Sequence, residues 1–166
     1  MRIDKFTIKL QEALSDAQSL AVGRDHISLA PMHLVQASLL QQGGAIKPIL
    51  TQMGIDTLAM ERELYLLIDR LPQVKESLGD LQVSSELSKL LNRADKNAQQ
   101  SDDQFITSEM VLLAAADDPG EVGDLFTKLQ VHKESLRRVI ERMRGGISVD
   151  DSNAEGTRQA LHKYTV

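Results

Sequence analysis

The strongest constraint on how this chain can fold is that it repeats itself. Leu10, Leu14, Ala17 and Ala21 return 77 residues later as Leu87, Leu91, Ala94 and Ala98, with no gap. The correspondence continues through Leu29 to Val35, which aligns with Ile106 to Leu112, and through Ala37 and Ala114. After one deletion the offset is 76. Gly44 then meets Gly120, Ile46 meets Val122 and Met53 meets Leu129. Met60, Leu64 and Leu67 meet Leu136, Ile140 and Met143. Two copies are too few for a solenoid, in which several units share one continuous core. They suit a compact pseudo-two-fold domain in which each copy covers the apolar face of the other.

Composition decides what the copies are made of. Apolar residues are 42% of the chain, but aromatics are only 3% and Trp is absent. A core built from Leu, Ile, Val, Met and Ala favours helices, since strands draw on β-branched and aromatic side chains. The expected fold is all-α, with two tandem four-helix repeats. Residues 1–70 form the first repeat and 71–83 a linker. Residues 84–145 form the second repeat, and 146–166 a flexible tether leading to a missing module.

Local signals place the helices. Asp4 is a candidate cap for a first helix running to Val22, with Ile3, Phe6, Leu10, Ala13, Leu14, Ala17 and Ala21 on one stripe. Pro31 suits the first turn of the second helix, and Gly43-Gly44 ends it. A short third helix covers Ala45 to Gln52, and Asp56 caps a fourth that reaches Arg70 before Pro72. In the second copy Ser84 and Thr107 are caps, and Glu109 faces the positive end of a helix dipole. From Gly145 the sequence turns polar and flexible, with no face to bury.

Chemistry is sparse. The net charge of −5 opposes general binding to nucleic acid or anionic membranes. With no Cys, disulfides, thiolate metal sites and Cys nucleophiles are excluded. Met1 to Lys5 leads straight into a helical pattern and no 18-residue apolar run occurs, so the expected location is cytoplasmic. His33 aligns with Met110, a plain apolar side chain, and reads as a packed or half-buried histidine. A catalytic base there would need an orienting partner, and none is identifiable. Lys133, Arg137, Arg138, Arg142 and Arg144 read as a solvated basic face, laced by Glu134 and Glu141. The methionines read as core filling. The alternative is an adaptable groove in the crease between two first-helix units facing each other.

Three stretches give the chain a family resemblance: Met1-Arg-Ile-Asp-Lys-Phe-Thr7, Arg70-Leu-Pro-Gln-Val74, and Met143-Arg-Gly-Gly-Ile-Ser-Val-Asp150 with Arg158-Gln-Ala-Leu-His-Lys-Tyr-Thr165. With the doubled four-helix unit, they resemble the Clp N-terminal domain at the front of AAA+ unfoldases, and within it the ClpB-type disaggregases. The resemblance implies a substrate-capture module. It would bind unfolded or aggregated polypeptides weakly and pass them to a homohexameric ATP-driven ring working with the DnaK system. Docking of an adaptor protein, as in proteolytic relatives, is the alternative. It also implies a chain with no catalytic site, no metal and no cofactor of its own, ATP and magnesium belonging to modules beyond Val166. Thr7, Ser84, Asp103 and Glu109 match polar surface positions that the family ties to chaperone activity, though capping explains Ser84 equally well. Met110, Leu91 and Leu14 would line the apolar part of the groove. Arg93 and Asn97 depart from the pattern, which prefers apolar residues there.

Overall fold

The computed structural model describes residues 3–74 and 80–153. Among them lie eight α-helices: α1 Ile8–Gly23, α2 Pro31–Leu40, α3 Ile46–Gln52, α4 Thr57–Asp69, α5 Ser85–Gln100, α6 Ser108–Ala116, α7 Glu121–Lys128 and α8 Lys133–Arg144. The only strands among the described residues are two-residue pieces, β1 Ser28–Leu29 and β2 Gln82–Val83. The chain is all-α.

Two helices are buried on every side, and that fixes the layout. Every residue from Pro31 to Leu39 is buried, as is every residue from Ser108 to Ala115. A helix with no solvated face belongs in the middle of a core, and the few polar residues of these two are buried with the rest. α2 and α6 therefore pack on each other, and α1 and α5 flank them from outside. α1 buries Leu10, Ala13, Ala17 and Ala21, and its small side chains let it lie close along α2. The first helices thus do not form the seam expected from sequence. The second helices form it, because they have no polar face to turn outward. α3 packs on α8, and its counterpart α7 packs on α4.

Backbone pairing follows the same two-fold rule. Leu29 pairs with Val83 in a parallel ladder, and Phe6 pairs with Ile106. These are the same contact with the copies exchanged. Ser84 N donates to Leu29 O and Thr7 N to Ile106 O, each at 3.0 Å. This pairing also moves the first cap. Ile3–Lys5 form a short 3-10 turn, Phe6 and Thr7 must be extended to reach Ile106, and the helix starts only afterwards. Thr7, not Asp4, caps α1, its Oγ1 accepting from Leu10 N at 3.3 Å. The expected caps Asp56, Ser84 and Thr107 each accept a bond from the third residue on.

Residues 146–153 differ from the free polar tether expected of them. Val149 is buried, and the segment bonds to the loop 101–104 and to the start of α1. Polar composition hid the segment's one apolar anchor and its backbone hydrogen bonds. The expected continuation into another module, 154–166, lies outside the described residues.

Candidate functional site

α8 ends at Arg144, and Gly145 in the left-handed region turns the chain away. Read as part of a solvated face, Arg144 is in fact buried, because its helix position is an interior one. It is the counterpart of Ile68, which is fully buried in the first repeat. Its guanidinium reaches into the second repeat. Nε donates to Glu109 Oε2 at 2.6 Å, and Nη1 donates to both Asp103 oxygens, at 3.0 and 2.9 Å. Nη2 donates to Thr107 Oγ1 at 3.2 Å. Burial works against the charge on Arg144, but Glu109 and Asp103 outweigh it and raise its pKa. Two carboxylates face one cation, and the α6 N-terminus adds partial positive charge beside Glu109.

This arrangement corrects the expected surface roles of Asp103 and Glu109. Their side chains are 0% and 2% exposed, so they cannot form a polar rim. A carboxylate buried beside an arginine is neutralised within the fold and is not offered to a partner. Thr7 is also fully buried and spends its oxygen on the α1 cap. Ser84 is half-buried and caps α5, on the opposite side of the pseudo-two-fold. Leu91 is buried in the core and Leu14 is partly buried against it.

In front of the ionic cluster lies a groove of about 200 Å³ between α5, α6 and α8. Met110, Leu113 and Ile140, each no more than 3% exposed, lie beneath it, and Arg144 lines it as well. Gln100, Ser101, Arg137 and Glu141 stand along its edges, with Ile147 and Ser148 beyond them. Met110 is therefore the one expected lining residue that the structure places here. Asn97 lines the groove as well, and its Nδ2 donates to Met110 O at 3.4 Å. Arg93 turns away and bonds Asp118 at 2.8 Å. The groove is shallow and of mixed polarity, suited to holding a few side chains of another polypeptide.

The first repeat has its own groove between α1, α2 and α4, of about 460 Å³. Its polar wall is acidic, with Glu12 and Asp16 where the second copy carries Lys89 and Arg93. Nearby, His33 is fully buried and accepts from Ala30 N through Nδ1 at 2.9 Å. Its Nε2 lies 2.9 Å from His26 Nδ1. Burial and the neighbouring His26 lower its pKa to about 4. This partner of His33 is not legible from the repeat, because His26 aligns with Asp103. Among the described residues, no three His, Cys, Asp or Glu side chains converge as metal ligands. No described helix is long and apolar enough to cross a membrane.

The family described as Clp repeat (R) N-terminal domain matches residues 5–129. The chain is 52% identical over 166 residues to the chaperone protein ClpB of Pseudomonas putida and 46% identical over 166 residues to that of Vibrio vulnificus. Each match covers 100% of this chain but only 19% of the relative. Among solved structures, the Hsp104 N-terminal domain from Candida albicans superposes with a TM-score of 0.80 at 20% identity, covering 91% of this chain and 99% of that one. A ClpV N-domain in complex with a VipB peptide gives 0.67 at 21% identity, covering 84% and 86%. These two are likenesses of fold.

Proposed function

The chain belongs to the Clp repeat N-terminal domain family, and from that premise we propose that it is the polypeptide-capture module of a disaggregating chaperone. The observation that carries this reading is the open groove of the second repeat, where the exposed Ile147 joins the polar side chains of Asn97, Gln100 and Arg137. It sits in a chain matched end to end by the N-terminal region of ClpB chaperones. Its size suits loose, degenerate contact. A site this small buries far less than a standard interface, so affinity for an unfolded chain should be about micromolar or weaker. Captured segments pass to a hexameric ATP-driven ring in the cytoplasm, working with the DnaK system. ATP and magnesium belong to that ring, and this chain contributes contact and no catalysis.

Titration with a permanently unfolded protein tests the reading. Saturable binding that weakens on Ile147→Asp is expected, since Ile147 is the exposed apolar side chain lining the groove. An undetectable interaction at hundreds of micromolar would sink it. A second reading, docking of one defined adaptor, draws on the ClpV N-domain that was solved with a VipB peptide. A pull-down separates the two: one stoichiometric band supports the adaptor, and a broad smear supports capture.

A further inference from the structure

The segment after α8 is attached at several points. Ser148 Oγ donates to Ser101 O at 3.0 Å. Val149 N donates to Asp103 Oδ1 at 2.9 Å, and Gln104 N donates to Val149 O at 2.7 Å. Three residues on, Ser152 O accepts from Ile8 N at 2.8 Å, satisfying one of the free donors at the start of α1. The Val149 side chain is 3% exposed, whereas Ile147 is 69% exposed and lines the groove. One side of the segment is thus spent on docking, and the other faces the proposed site.

Asp103 joins the two. The same Oδ1 accepts from Arg144 Nη1 and from Val149 N. Arg144 lines the groove, so one carboxylate holds both a side chain of the groove and the chain that leaves it. This gives the buried ionic cluster a task other than stability, for which such clusters are a poor choice.

We infer that residues 147–152 are a strap whose first two residues, Ile147 and Ser148, form one wall of the groove while the rest dock it, so that bound polypeptide and docked strap stabilise each other. The inference rests on the capture reading and deepens it. By reciprocity, whatever the ligand adds to docking of the strap, the docked strap adds to binding of the ligand. Pulling the following chain away from the domain then opens the wall and lets the captured segment go. The strap is held by a few peripheral bonds and one buried valine, which places it among the first parts of the fold to open.

Two variants of the whole chain test this in opposite directions. Val149→Pro removes the N–H that Asp103 holds. Ser101→Cys with Ser148→Cys locks the strap down in a protein that has no other cysteine. With a permanently unfolded protein as probe, Val149→Pro should weaken binding about five-fold or more, and the oxidised double cysteine should slow release by a similar factor. Amide exchange at Gln104 and Ile8 should slow when the probe is bound to the unmodified chain, which a purely structural strap would not show. If Val149→Pro fails to fold, oxidised against reduced double cysteine decides alone. Probe binding that is the same with the strap locked, free or disrupted overturns the strap and leaves capture standing. If the unmodified chain binds no unfolded probe, both ideas fall together.

Discussion

The two repeats keep one backbone and fill one interior site with opposite chemistry. Asp25 and Asp102 both turn with φ of 58°, and Gly54 and Gln130 both sit in the left-handed region. Against that shared frame, Ile68, Met32, His26 and Ala30 in the first copy stand where Arg144, Glu109, Asp103 and Thr107 stand in the second. The first copy closes its corner with apolar packing and a neutral histidine pair. The second closes the same corner with an arginine held by two carboxylates and a hydroxyl. Packing geometry is therefore what both copies must share, while the polar contents of one corner are free to specialise. In the second copy that corner also holds the strap.

Writing the first copy's residue into the second is the harshest test of this contrast. Arg144→Ile leaves Asp103 and Glu109 buried without their cation, and should cost about 3–5 kcal/mol in urea denaturation. Adding Asp103→Asn and Glu109→Met should restore more than half of that loss. If Arg144→Ile proves as stable as the parent, the cluster does not hold this corner of the fold together.

A milder exchange concerns the first copy's histidines. His33 titrates near 6.5 when unfolded and at about 4 in the fold, because burial and then His26 oppose its charge. Between those values the unfolded chain binds the proton and the folded chain does not. Stability is therefore full above pH 6.5 and declines as pH falls towards 4, by about 3 kcal/mol in all. His26, lowered by burial and by Arg24, acts in the same direction. His33→Met, copying Met110, should flatten the urea midpoint measured from pH 7 to 4. An unchanged slope would place the acid sensitivity elsewhere.

The smallest effect belongs to the shared left-handed turn. Gln130 has φ of 62° where its counterpart Gly54 has 76°. A side chain there costs about 1 kcal/mol, partly offset by the greater freedom of glycine when unfolded. Gln130→Gly should raise the thermal midpoint by a degree or two, and Gly54→Ala should lower it by a similar amount. Shifts in the same direction at the two positions would mean that the turns are not equivalent.

The architecture was legible because duplication and helical spacing are properties of the sequence itself. Leu10, Ala17 and Ala21 with their copies Leu87, Ala94 and Ala98 announced both, and all six are buried. The seam was misplaced because all-round burial of α2 and α6 appears as a short apolar run that has no outer face to compare. The site was less legible. Asp103 and Glu109 are charged and look like surface, and only their distance from Arg144 in space shows them to be interior. One signal was available: aligning the repeats puts Arg144 opposite Ile68, a position in line with Met60 and Leu64. A charged residue at a core position asks for buried partners. Nothing comparable flagged Val149, whose burial depends on hydrogen bonds that its backbone makes to a distant loop.

The exchanged pairing of Phe6 with Ile106 and of Leu29 with Val83 also sets an order of events at the ribosome. The first repeat emerges with α1 and α2 complete, yet Leu29 lacks its pairing partner until Val83 is made and Phe6 lacks its own until Ile106. Translation at roughly 5–20 residues per second leaves Phe6 waiting about 5–20 s for its partner. Through that interval the nascent half-domain carries uncovered the flank of α2 that α6 later buries, so it is itself an incompletely folded chain while it is being synthesised.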